Sequence, residues 1–123
     1  MNRAGPGRLT IEFRSREQQH SEYDWADISL GADRVGKARC RLTATRLTIC
    51  SINIYPEWEQ RGFGREFVAW CQERFAVVVA DRVRYSAIGF WTALGFRDNH
   101  DGNWVYGHGP AGADEANQPE PRP

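Results

Sequence analysis

Pro56-Glu57-Trp58-Glu59-Gln60-Arg61-Gly62-Phe63-Gly64-Arg65 joins an apolar, strand-like run to an amphipathic segment. Two glycines one residue apart at such a junction let the backbone turn its N–H groups outward with no Cβ in the way. A helix starting there adds its own unpaired N–H groups and the positive end of its dipole. Together these features suit a phosphate or pyrophosphate. Two familiar versions are excluded. The dinucleotide fingerprint G-x-G-x-x-G needs a glycine where this chain has Phe67, and the Gly-Lys-Ser/Thr of a P-loop is absent.

Upstream, Arg46 to Tyr55 reads as a strand whose pattern slips. Leu47 and Ile49 set one phase of apolar residues, while Ile52 and Ile54 set the other. The slip falls at Cys50-Ser51, and a β-bulge is the usual device that absorbs it. A central strand buried on both faces is the other reading. Pro56 ends the strand because it cannot donate to a ladder. Val35 to Leu42 precedes it across Thr43-Ala44-Thr45, a spacing that suits an antiparallel hairpin. Leu9 to Phe13 alternates as a half-buried strand, Arg14 to Trp25 reads as loop or a short helical turn, and Ala26 to Leu30 as a further strand.

Downstream, Phe63, Phe67, Trp70 and Cys71 share one helical face. The wholly apolar run Ala76-Val77-Val78-Val79-Ala80 suits a buried central strand. The resulting strand–helix–strand unit implies a parallel pair with a right-handed crossover. Ser86 is placed to cap a second helix through Leu94. Gly95 then takes the left-handed position after it, and Phe96 the accompanying apolar contact. Asn103 to Tyr106 completes the strands. The expected organisation is a flexible start over residues 1–8, one domain over 9–106 and a Gly/Pro-rich disordered tail over 107–123.

The 123 residues carry 41% hydrophobic and 26% charged residues, ordinary for one globular domain. Sixteen basic residues balance sixteen acidic ones, so no global field favours nucleic acid or a membrane surface. No apolar run reaches the roughly 20 residues needed to span a bilayer, and the polar N-terminal residues do not read as a secretory signal. Cys40, Cys50 and Cys71 match no metal-site spacing and read as free thiols, which points to a reducing cytoplasm. Of the five tryptophans, Trp70 and Trp91 fall on helix faces expected in the core, while Trp58 lies beside the glycines where it can meet a ligand.

The glycine stretch, the strand after it and the segment Ala87-x-x-Phe90-Trp91-x-x-Leu94-Gly95-Phe96 together resemble the GNAT family, the Gcn5-related N-acetyltransferases. Residues 35–106 carry the resemblance well and residues 9–30 loosely. It implies an α/β (α+β) fold: a mixed, mostly antiparallel sheet flanked by helices, with a splayed pair of parallel central strands. It implies acetyl-CoA, or another acyl-CoA, as cofactor. Backbone amides of Gln60, Arg61, Gly62, Phe63, Gly64 and Arg65 would hold the pyrophosphate, and Ile52, Asn53 and Ile54 would pair with the pantetheine arm. Phe90 and Trp91 would border the same slot. The Arg61 and Arg65 side chains would either add charge-assisted phosphate contacts or form a solvated helix start. The implied reaction is acetyl transfer to a primary amine of a protein, peptide or small molecule by direct attack. The family often dimerises, and no metal is implied.

The chain departs from the family pattern in ways that bear on turnover. Glu59 occupies the usual Gln/Arg position and Arg84 that of a common Asn. Trp91 stands where a Tyr often protonates the departing thiolate, and an indole N–H has no useful acidity. A backbone N–H near Asn53 or Ile54 would still stabilise an oxyanion. Asn53 and Glu57 are the candidate catalytic residues, Glu57 being the nearest carboxylate. His20, His100 and His108 read as exposed histidines. The shortness of Arg14 to Trp25 implies an open acceptor side suited to a protein or peptide. The alternative is an acyl-CoA-binding module with weak or no catalysis.

Overall fold

In the computed structural model, residues 8–107 are described. Seven strands form one sheet in the order β1-β2-β3-β4-β5-β7-β6. They are β1 (Leu9–Arg14), β2 (Asp24–Leu30), β3 (Asp33–Leu42), β4 (Arg46–Ile54), β5 (Val77–Ala80), β6 (Arg97–Asp98) and β7 (Trp104–Gly107). Every neighbouring pair is antiparallel except β4 and β5, which are parallel. The helices are α1 (Arg16–Gln19), α2 (Phe63–Arg74) and α3 (Ile88–Ala93), with 3-10 turns at Pro56–Trp58 and Tyr85–Ala87. Gly107 ends the last strand; residues 1–7 and 108–123, expected to be tails, lie outside the described residues, and His108 with them.

Local chemistry sets these boundaries. Ser15 caps α1 in a reciprocal capping box with Gln18. Asp24 then anchors this short connection: one carboxylate oxygen accepts from the Arg16 N–H at 2.7 Å, the other from the Leu42 N–H at 2.8 Å. On α2, Phe63, Phe67, Val68 and Cys71 are buried against the sheet. Full burial of a side chain such as Phe67 stabilises by about 1.5–3 kcal/mol. Trp70, expected in the core, is only partly buried and lies tilted against Phe13 with ring centroids 6.0 Å apart.

One expectation fails at α3. Ser86 caps nothing; it lies inside the Tyr85–Ala87 3-10 turn, and Ala87 is the N-cap residue of α3 with no side-chain bond. A cap residue must itself be extended, and here the extended residue is Arg84, two positions before Ser86. The other end is as expected. Gly95 has φ +89°, its N–H donates to Thr92 O, and the Phe96 N–H donates to Trp91 O, the two bonds of a Schellman ending.

Candidate active site

The phase slip in β4 is a bulge. Cys40 faces Ile49 and its neighbour Arg39 faces Ser51, so Cys50 is the surplus residue. The bulge keeps Ile52 and Ile54 on the same side of the sheet as Leu47 and Ile49, where all pack with the core. It also marks where β4 parts from β5. Their pairing runs from Arg46↔Val77 to Ile49↔Ala80, and the Asp81 N–H makes a last bond to Ile49 O at 3.0 Å. Beyond Cys50, β4 pairs only with β3. The Tyr55 N–H donates to Val35 O on the β3 side. By strand alternation Asn53 and Ser51 also turn their backbone groups to β3, and Ile52 and Ile54 turn theirs into the gap.

The glycine stretch closes the far end of β4. Pro56–Trp58 makes one 3-10 turn, Gln60 takes φ +64°, and Gly62 takes φ +84° as the residue preceding α2. No side chain caps α2, and its first backbone bond is Glu66 N–H to Gly62 O. The amides of Phe63, Gly64 and Arg65 are therefore the free donors of the helix start. Gly64 needs no special φ, and a Cβ there would meet only Ile54 Cγ1 at 4.0 Å. A glycine costs a helix about 1 kcal/mol relative to alanine, and no neighbouring protein atom requires this one. The space it leaves is a cradle open to the gap between the strands.

Between β4 and the chain after β5 lies a cleft of about 950 Å³. Cys50 to Ile54 form one wall, Asp81 to Arg84 with Ala87, Phe90 and Trp91 the other, and Glu59 and Gly64 the end. Trp91 is buried edge-on to Phe90 and Phe96, at 5.0 and 4.8 Å between centroids. Tyr23, Arg39 and Arg41 reach the cleft from β3 and the segment before β2. Both guanidinium groups stack on the Tyr23 ring, at 4.8 and 4.7 Å. Burial pushes the Cys50 thiol up, the Asp81 carboxylate pushes it further, and Arg41 and Arg39 oppose the shift.

The sequence-derived residues divide into three groups. Ile52, Asn53, Ile54, Gly64, Phe90 and Trp91 meet at the cleft. Gln60, Arg61, Gly62 and Arg65 are exposed in the loop and first turn of α2, and Phe63 is buried beneath them against Trp58. Trp58 is covered by Arg61, whose guanidinium carbon lies 5.1 Å from the ring. Glu57 is exposed and forms no part of the cleft wall, which has Glu59 and Asp81 as its carboxylates. Asp81, Arg39, Arg41 and Tyr23 were not anticipated. Asp81 follows directly on a buried strand that parts from its neighbour, which is a legible signal; the β3 arginines alternate with core residues and read as an ordinary solvent face.

No family model matches the chain, and no curated protein matches it. Solved structures do. An acetyltransferase from Thermus thermophilus superposes with a TM-score of 0.56 at 21% identity, over 74% of this chain and 70% of that one. The Bacillus subtilis N-acetyltransferase YlbP, in complex with coenzyme A, gives 0.54 at 15% identity, over 72% and 70%. The ribosomal-protein-S18-alanine N-acetyltransferase from Escherichia coli gives 0.54 at 15% identity, over 79% and 90%. The protein therefore has the GNAT acetyltransferase fold, with its seven-stranded sheet and single parallel pair. Among the described residues no helix is long and apolar enough to cross a membrane, and no cluster of metal-ligating side chains occurs.

Proposed function

We propose that this protein is an acetyltransferase that moves an acetyl group from acetyl-CoA to a primary amine. The observation that carries the reading is the opening of β4 from β5 at Cys50, in line with the free amides that begin α2. Phe63, Gly64 and Arg65 N–H groups would hold the pyrophosphate, and Gly64 leaves room for it. Ile52 and Ile54 would pair their backbone with the pantetheine arm. Bound there, acetyl-CoA supplies a thioester whose carbonyl carbon an amine attacks, forming the N–C bond as the C–S bond breaks and the thiolate leaves.

The chain's part is positioning and electrostatics. The gap-facing N–H of Ile52 or Ile54, in place of that of Asn53, meets the charge developing on the carbonyl oxygen. Asp81, at the opening, takes the proton that the amine loses, directly or through water. Trp91 gives the thiolate no proton, and with a parent pKa of roughly 8.5 it leaves without one. General acid help is worth about 10²–10⁴-fold, so turnover is slow relative to a site with such an acid. The cytoplasm remains the compartment we infer for three free thiols.

Calorimetric titration with acetyl-CoA tests the binding half, and CoA release with an amine panel tests transfer. No heat with acetyl-CoA would sink the reading. Binding without product from any amine would favour the acyl-CoA-binding module instead.

A further inference from the structure

The outer face of β1 to β3 carries cations of two kinds. Arg14 and Arg34 share the Asp27 carboxylate, whose oxygens lie 2.7 and 3.1 Å from Arg14 Nε and Arg34 Nη1. Arg39 and Arg41 have no carboxylate partner among the described residues. They stack instead on Tyr23, and Arg39 Nε is buried with no hydrogen-bond acceptor. A buried donor left unpaired costs roughly 1–3 kcal/mol; Arg39 and Arg41 also line the cleft, where a ligand's oxygens can meet them.

Position says which ligand supplies it. Arg39 faces Ser51 in register, at the bulge, whereas the free amides of α2 begin beyond the far end of β4. The arginine pair therefore sits at the reacting end of the cleft and not at its phosphate end. The Ser15-to-Tyr23 connection, whose one helix is the four-residue α1, borders this end through Tyr23. The aromatic faces are already occupied: Arg39 and Arg41 lie over Tyr23, and the Lys37 ammonium lies 5.1 Å from the Trp25 ring centre. On this strip, bases of a nucleic acid would find no uncovered ring to stack on, and Asp27 interrupts the run of cations.

Resting on the acetyltransferase reading above, we propose that the acceptor is an acidic peptide. Its N-terminal amine enters the opening beside Asp81, and carboxylates of the following residues pair with Arg39 and Arg41. Guanidinium forks match carboxylates two bonds at a time, and such charge-assisted pairs are the strong ones.

The test is equilibrium binding of dye-labelled peptides with a free N-terminal amine, by fluorescence anisotropy, with and without saturating CoA. One peptide carries Asp and Glu after the first residue, one Gly and Ser, one Lys. The acidic peptide should bind at least about tenfold more tightly than the neutral one, with the preference shrinking as salt is raised. Arg41→Gln and Arg39→Gln should each reduce the preference, and Arg39→Lys should restore part of it. Thermal melts identify a variant that has lost its fold, in which case the exposed Arg41→Gln carries the test. Equal affinity for acidic and neutral peptides, or tighter binding of the lysine peptide or of a labelled single-stranded RNA, overturns the proposal. Failure of the acetyltransferase reading is separate: it appears as absent acetyl-CoA heat, whatever the peptides do.

Discussion

Gly36 and Asn53 pass so closely that a Cβ on Gly36 would lie 2.5 Å from the Asn53 carbonyl oxygen. The obstacle is backbone and cannot swing away. Gly36 pairs with Ile54, next in line on the wall of the cleft. Gly36→Ala should therefore push β4 outward, costing about 1–3 kcal/mol as overpacking does. Urea denaturation should show the loss, and acetyl-CoA affinity should fall with it because Ile52 and Ile54 move.

Gly64 makes the opposite case. Its missing Cβ would touch only Ile54 Cγ1 at 4.0 Å, and leucine is the better helix former by up to about 1 kcal/mol. Gly64→Leu should leave the melting temperature unchanged or raised while acetyl-CoA binding weakens at least about tenfold, which is about 1.4 kcal/mol. Intact binding in a well-folded variant would remove the phosphate role from the start of α2.

Asp24 holds the chain where α1 connects β1 to β2. Asp24→Ala would strip the acceptors from the Arg16 and Leu42 N–H groups and the 3.3 Å ion pair to Arg16 Nε. A loss of about 2–4 kcal/mol is expected from unmade buried bonds, readable as a shift in denaturant midpoint with an unchanged slope.

The thiols give a pH dependence with a definite sign. Burial pushes Cys71 up to about 12 and Cys40 up further. Unfolded thiols ionise near about 8.5. Folding thus holds the protons on, so this stability is complete below pH ~8.5 and is lost as pH rises toward the folded value. Between pH 7.5 and 10 each buried thiol should cost about 2 kcal/mol. Cys71→Ala should flatten the decline in urea stability over that range, and an identical decline would contradict the linkage.

Cys50 should behave differently because it lines the cleft. Iodoacetamide followed by peptide mass spectrometry should label Cys50 in the native protein before Cys40 or Cys71. Acetyl-CoA should slow that labelling. Equal labelling with and without acetyl-CoA would place the ligand elsewhere.

The sequence made the opened strand and the loop before α2 legible through features that force the backbone. Pro56 stops a strand, Gly62 permits φ +84°, and the apolar phase slip at Cys50-Ser51 demands a surplus residue. Gly95 was legible for the same reason. What escaped depended on partners distant in the chain. Ser86 had the chemistry of a cap but lies inside a 3-10 turn and not at its extended start. The two-residue strand Arg97–Asp98 forms only because β7 lies alongside. Arg39 and Arg41 look like solvent-facing residues until Tyr23 arrives from another strand's approach and the bulge turns β4 aside.

Cys50 has one more consequence. The pairs on either side of it, Cys40 with Ile49 and Arg39 with Ser51, are consecutive on β3. A chain lacking Cys50 would keep each of those pairings and every apolar side chain on its present face. It would lose only the bend. One residue thus carries the bend that opens this wall of the cleft, while the pairing of β3 with β4 on either side does not depend on it.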